Sequence, residues 1–290
     1  MINIPDKQVL SFNFMKISLC NEVLEPLPFD AQCKLARSLG YTGLEIAPFT
    51  VSENPEKLTV REAENFRKIA QEEGLVITGL HWLLVKPVGL SITTPDKEIF
   101  EKTKRFASKL CELCHAFGGN YLVHGSPKQR LIADGQKHAD ALARAIEFFE
   151  YASSSAQEFK VTYCIEPLSI DQTPIINKMS EAIEIVEKIR SPHLKTMLDT
   201  SSAGLTESIS IPELIHQYMP TGHIAHVQLN DPNRRGPGQG EMQFGPILQA
   251  LKTNNYSGDL AIEPFEYIPD GPTCAAQSIG YLNGLIENSK

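Results

Sequence analysis

Eight short, nearly continuous apolar runs recur along this 290-residue chain, and the stretches between them repeat apolar residues every three to four positions. The runs fall at 14–19, 43–46, 76–80, 121–124, 161–166, 195–199, 224–229 and 259–263. Strands buried on both faces read in this way, which is the mark of a parallel sheet covered by helices. The intervening stretches carry helix punctuation. Thr59 and Glu62 form a capping box, Thr94-Pro95 supplies an N-cap with proline in the first turn, Ser180 caps a later helix, and Gly74 and Gly118 stop two others. Eight strand-then-helix units without a Pro- or Gly-rich linker favour one closed (β/α)8 TIM barrel over two domains or an open doubly wound sheet. Met15-Lys16 directly precedes the first run, so residues 1–14 are read as an N-terminal extension and 15–290 as the barrel.

Several function classes lose support early. No strand is followed by G-x-G-x-x-G or a Walker sequence. A net charge of −8 disfavours nucleic acid, whose phosphates call for a basic face. No apolar stretch reaches the length of a membrane span, and the first residues lack the basic-then-apolar order of a signal peptide. The six cysteines sit in apolar surroundings and read as reduced thiols, so a cytoplasmic location is expected. Cys111-Glu112-Leu113-Cys114-His115 matches the haem-attachment spacing. It lies inside a helical pattern with Phe106, Leu110 and Phe117, however, and reads as packing.

In a barrel, chemistry is done at the C-terminal ends of the strands. From the fifth strand onward those ends carry Glu166, Asp199, Gln228 and Glu263, spaced by 33, 29 and 35 residues, one strand-helix unit each. Four oxygen donors therefore project into one mouth. Three are carboxylates, costly to desolvate together without a cation among them. All-oxygen ligation suits one hard divalent ion, Mn²⁺ or Mg²⁺, better than zinc. Pro167 and Pro264 end their strands where the glutamates must face the cavity.

These residues sit in motifs that resemble the xylose isomerase-like barrels, a superfamily that includes ketose 3-epimerases, hydroxypyruvate isomerase, inosose dehydratase and endonuclease IV. The carriers are Gly43-Leu44-Glu45, Ile165-Glu166-Pro167, Leu198-Asp199-Thr200, the run from His226 to Asp231, the run from Asn233 to Gly240, and Ile262-Glu263-Pro264-Phe265. The resemblance spans about residues 15–285. It implies a metal held by Glu166, Asp199, Gln228 and Glu263, with the two glutamates as acid/base pair moving a proton through an enediolate of a small ketose or keto-sugar. The chain departs from the ketose epimerases in carrying Gln228, Ser202 and Gln172 where they have histidine, histidine and glutamate. Hydroxypyruvate isomerase is similar to this chain in using glutamine at the metal. Endonuclease IV fits poorly: His81, His124, Glu166, Asp199 and Glu263 match zinc positions, but Ser202, Gln228 and Asn233-Arg234-Arg235 replace the others.

Weaker candidates surround this core. Arg234 is expected to bind substrate hydroxyls, or else is a loop arginine. His81 and His124 end the third and fourth strands and either face the mouth or are core histidines. Trp82 and Phe265 wall the pocket or simply pack, and Glu45 binds a substrate hydroxyl or braces a loop. The expected partner is a small carbohydrate, with a homo-oligomer compatible with the barrel surface. A dehydratase of the inosose type and a non-catalytic sugar-binding barrel are the rival readings.

Overall fold

A computed structural model describes residues 15–288. The strands are β1 (Lys16–Cys20), β2 (Gly43–Ile46), β3 (Val76–Leu80), β4 (Tyr121–His124), β5 (Thr162–Ile165), β6 (Leu194–Asp199), β7 (Ile224–Leu229) and β8 (Asp259–Ile262). All pair in parallel in chain order, and β8 closes on β1 with Lys16 opposite Asp259 and Leu19 opposite Ile262. The helices are α1 (Phe29–Leu39), α2 (Pro48–Val51), α3 (Val60–Glu72), α4 (Lys97–Phe117), α5 (His138–Phe159), α6 (Met179–Ile189), α7 (Thr200–Thr206), α8 (Ile211–Tyr218), α9 (Phe244–Thr253) and α10 (Gly271–Asn288). This is the closed (β/α)8 barrel that the alternation predicts. The expected extension 1–14, with Phe14 of the first run, lies outside the described residues.

Element boundaries move where local chemistry is stronger than the pattern. Strands β5 and β8 end one residue before their glutamates. Even so, the Glu166 N–H still donates to the His124 carbonyl and the Glu263 N–H to the Leu229 carbonyl, both at 3.3 Å. The prolines that follow have no N–H to extend the ladder. The α3 capping box forms as expected, with Thr59 Oγ1 accepting from Glu62 N–H at 3.2 Å and Glu62 Oε2 accepting from Thr59 N–H at 2.8 Å. By contrast, α4 begins at Lys97 and not behind Thr94-Pro95, because Asp96 Oδ1 accepts from both Glu98 N–H and Ile99 N–H. Ser180 lies within α6 and does not cap it. The orphan N–H of Met179 is instead taken by Glu207 Oε1 at 2.8 Å. Cys111 and Cys114 are buried, unpaired thiols on the packed face of α4, as the periodicity implies.

Strand parity decides what faces the barrel axis. A large apolar core fills the space between sheet and helices, whereas Tyr121, Val123, Cys164 and Met197 form a separate small cluster. On β7 the inward set is His226 and Gln228, followed by Asn230, with Val227 and Leu229 packed in the core toward the helices. Register shifts at Leu44/Glu45 and Thr196/Met197 set which residues of β2 and β6 join the inner set. Among the described residues no helix is long and apolar enough to cross a membrane.

Candidate active site

Glu166, Asp199 and Glu263 converge at the mouth, each offering a carboxylate oxygen within 4.8 Å of the others, and all three are buried. Among the described residues no lysine or arginine pairs with them, and only the His81 Nε2 approaches, 3.9 Å from Glu263. Burial pushes the Glu166 and Glu263 carboxyls well above the usual carboxylate range. Asp199 repels Glu166, and Glu166 with Asp199 repels Glu263; Arg130 opposes the rise at Glu166. Burial also raises Asp199, but hydrogen-bond donors hold that rise back. Its Oδ1 caps α7 by accepting from Ser202 N–H at 2.7 Å, and its Oδ2 accepts from Asn230 Nδ2 at 2.7 Å. Among the described residues no donor serves the Glu166 or Glu263 carboxylate.

Gln228 stands beside Asp199, with which it is in register across β6 and β7. Its Nε2 donates to Glu45 Oε1 at 2.7 Å, while its Oε1 is buried without a partner. This unsatisfied acceptor belongs to the residue in register with Asp199, and buried oxygens without hydrogen-bond donors are the kind of group a hard divalent cation takes. Glu263 Oε2 is likewise buried and unsatisfied.

Above this cluster lies a narrow cleft lined by Trp82, Gly125, Pro127, Leu168, Gln172, Ser202 and Phe265 together with the two glutamates. Gln172 is steadied by Ser169, whose Oγ donates to Gln172 Oε1 at 2.8 Å. Trp82 stands edge-on to Phe265 with ring centroids 6.0 Å apart, and its φ of 51° is a left-handed conformation that a bulky residue adopts only under constraint. Arg234 is at the rim, about half exposed, with its guanidinium 4.8 Å over the Phe265 ring. Its carbonyl accepts from Phe265 N–H and Glu266 N–H, so it braces the loop that carries Phe265.

Two expectations are corrected. His124 does not face the mouth: it points into the helix layer against Phe148 and Phe149, with Nδ1 2.8 Å from the Tyr163 hydroxyl. Burial and the Arg130 charge hold it well below the usual histidine range, so it is a neutral packing residue. Glu45 cannot receive a substrate hydroxyl, because protein groups surround both its oxygens. Tyr121 donates to Oε2 at 2.6 Å, His226 Nε2 lies 2.8 Å from Oε2, and His81 Nδ1 lies 3.4 Å from Oε1, which also holds Gln228. Burial alone would raise Glu45, but His226, then His81 and Tyr121, hold it down to about 2. His81 does turn inward, its Nε2 2.9 Å from Glu22 Oε2.

Residues that the motifs left without a role complete the site. Asn230 bridges Asp199 Oδ2 and the Glu263 carbonyl, at 2.7 and 3.0 Å. Its position two after Gln228, on the same strand face, was a readable signal. Arg130 is fully buried and donates to the backbone carbonyls of Glu166, at 2.7 Å, and His124. Nothing in its local sequence marks it out.

Comparison with known proteins places the fold. The model of the family described as "Xylose isomerase-like TIM barrel" matches residues 33–285. A D-psicose 3-epimerase of Enterocloster bolteae is 28% identical over 79% of this chain and 74% of its own length. A 2-oxo-tetronate isomerase of Pectobacterium atrosepticum is 25% identical over 90% of this chain and 94% of its own. Among solved structures, a D-psicose 3-epimerase studied in the presence of D-fructose superposes with a TM-score of 0.80 at 20% identity, covering 93% of this chain and 99% of that one. With a family match running over most of its length, this chain, a closed eight-stranded parallel barrel, belongs to the xylose isomerase-like TIM barrel family.

Proposed function

We propose that this protein is a divalent-metal-dependent isomerase or epimerase of a small ketose or keto-sugar, with Glu166 and Glu263 as its acid/base pair. The observation that carries the reading is the buried trio of Glu166, Asp199 and Glu263, with oxygens within 4.8 Å of one another and no lysine or arginine paired with it among the described residues. Glu166, Asp199, Glu263 and the unsatisfied Gln228 Oε1 would hold Mn²⁺ or Mg²⁺. When bound, such an ion supplies Lewis-acid polarisation of a carbonyl and its neighbouring hydroxyl.

The protein's own groups divide the remaining work. Asp199 has donors on both oxygens, so protonating it would cost those bonds, and it serves as a fixed ligand. The two glutamate carboxylates accept no such bonds and keep lone pairs free for a proton. They arise from strands three apart, so they address a substrate between them from different sides. One removes the proton next to the carbonyl and the other returns it. Return to the opposite face of the same carbon is epimerisation; return to the neighbouring carbon is isomerisation. Trp82, Leu168, Pro127 and Phe265 offer apolar faces to sugar C–H groups, with Gln172 and Ser202 placed for hydroxyls. The relatives named for D-psicose and 2-oxo-tetronate make ketohexoses and keto-acid sugars the first compounds to try.

The test is exchange of substrate carbon-bound hydrogen in D2O, followed by NMR over ketoses, keto-acid sugars, hydroxypyruvate and inososes. Exchange should need Mn²⁺, stop with EDTA, and be lost in Glu166→Gln and Glu263→Gln. Tight metal binding without exchange on any of these compounds would refute the reading.

A further inference from the structure

The metal-ligand role of Gln228 raises a problem that an aspartate or glutamate does not have. An amide has one oxygen and one nitrogen of nearly equal size, and only the oxygen can bind a cation. Something must fix which way the amide is turned. Gln228 Nε2 is 2.7 Å from Glu45 Oε1, and a carboxylate only accepts hydrogen bonds. The nitrogen is therefore held on the Glu45 side, leaving Oε1 as the buried, unpartnered atom.

Glu45 is itself held from several sides. The Tyr121 hydroxyl donates to it at 2.6 Å, His226 Nε2 lies at 2.8 Å, and Tyr121 and His226 stack with ring centroids 4.0 Å apart. His81 and the Cys20 thiol approach Oε1 at 3.4 and 3.7 Å. Its carboxylate is fully buried and has no freedom to swing away.

Resting on the reading of Gln228 as a ligand, we propose that Glu45 is a positioning residue that locks the Gln228 amide with its oxygen toward the metal. It touches neither substrate nor metal. Its work is to exclude the flipped amide, which would present N–H groups to the ion. Residues that orient a ligand in this way typically govern metal affinity by 10- to 100-fold.

The experiment is Mn²⁺ titration of the full-length protein, with free Mn²⁺ read by EPR, in a double-mutant cycle at positions 45 and 228. Glu45→Gln should weaken Mn²⁺ binding roughly tenfold or more, because the new amide can donate to the Gln228 oxygen and hold it flipped. In the Gln228→Glu background the same change at 45 should cost nothing or improve binding, since both oxygens of a carboxylate can serve the ion. Metal-free melting curves of all four proteins measure any plain structural role. Mn²⁺ affinity of Glu45→Gln within about twofold of the parent, or an equal loss in both backgrounds, would overturn the inference. Gln228→Ala separates the two levels: if it binds Mn²⁺ as tightly as the parent, the ligand assignment fails and takes the inference with it. If Gln228→Ala loses affinity while Glu45→Gln does not, only the positioning role fails.

Discussion

Gly125 offers a way to move one carboxylate while leaving the fold alone. It follows His124 at the end of β4, and its missing side chain leaves the space that Glu166 occupies. A Cβ at 125 would lie 1.6 Å from Glu166 Oε2 and 2.7 Å from its Cδ, where side-chain carbons do not come within 3.0 Å of other heavy atoms. In Gly125→Ala the carboxylate oxygen must therefore retreat by about 1.4 Å. Gly125 is not in the left-handed region, so alanine adopts its backbone without strain, and what it strikes is the free end of a side chain. Stability should accordingly change by no more than about 1 kcal/mol. Function should not be spared, since a misplacement of roughly 1 Å costs on the order of 100-fold, or about 2.7 kcal/mol of transition-state stabilisation. The assay pairs thermal melting with Mn²⁺-dependent hydrogen exchange on the best substrate found for the parent. A near-parental melting point with exchange reduced about 100-fold is expected. Exchange within threefold of the parent would refute the claim that Glu166 must sit where it does, and loss of activity together with unfolding would refute the claim that the effect is local.

Three further outcomes follow from the same geometry. Because burial raises Asp199, and burial with carboxylate repulsion raises Glu166 and Glu263, in the metal-free protein their stabilising contribution is full below the ordinary carboxylate pKa and is lost as pH rises through the raised values. Added Mn²⁺ should therefore raise the melting temperature more at pH 8 than at pH 5.5, and an equal rise at both would contradict the crowded-carboxylate account. Asn230→Ala removes the donor to Asp199 Oδ2 and orphans the Ser201 N–H that bonds its Oδ1 at 2.8 Å. It should cost about 1–3 kcal/mol in denaturant unfolding together with Mn²⁺ affinity, and a variant of parental stability would count against it. His124→Phe should lose about 1–2 kcal/mol through the stranded Tyr163 hydroxyl yet keep exchange within a few-fold of the parent; a 100-fold loss would return His124 to the active site.

Much of this protein is written in its linear order. The eight runs, the Thr59 capping box and the placement of Glu166, Asp199, Gln228 and Glu263 at successive strand ends are local or periodic facts, and periodicity survives without coordinates. The direction each side chain takes is a different matter. Strands buried on both faces show little polar-apolar alternation, so outside the run from His226 to Asn230 the chain carries no clear sign of which residues look inward. His81 and His124 both stand at strand ends, yet one turns to Glu22 at the mouth and the other to Phe148 and Phe149 behind the sheet. The register shift at Leu44/Glu45 belongs to pairing between strands, which no segment encodes alone. The same holds for long-range partners: Glu45 meets Gln228 across 183 residues, Arg130 reaches the carbonyl of Glu166, and Gly125 makes room for that same side chain. Sequence determined the barrel and the oxygen donors at its rim. Closure of the barrel decided which of them meet, because only there do parity, register and distance take definite values.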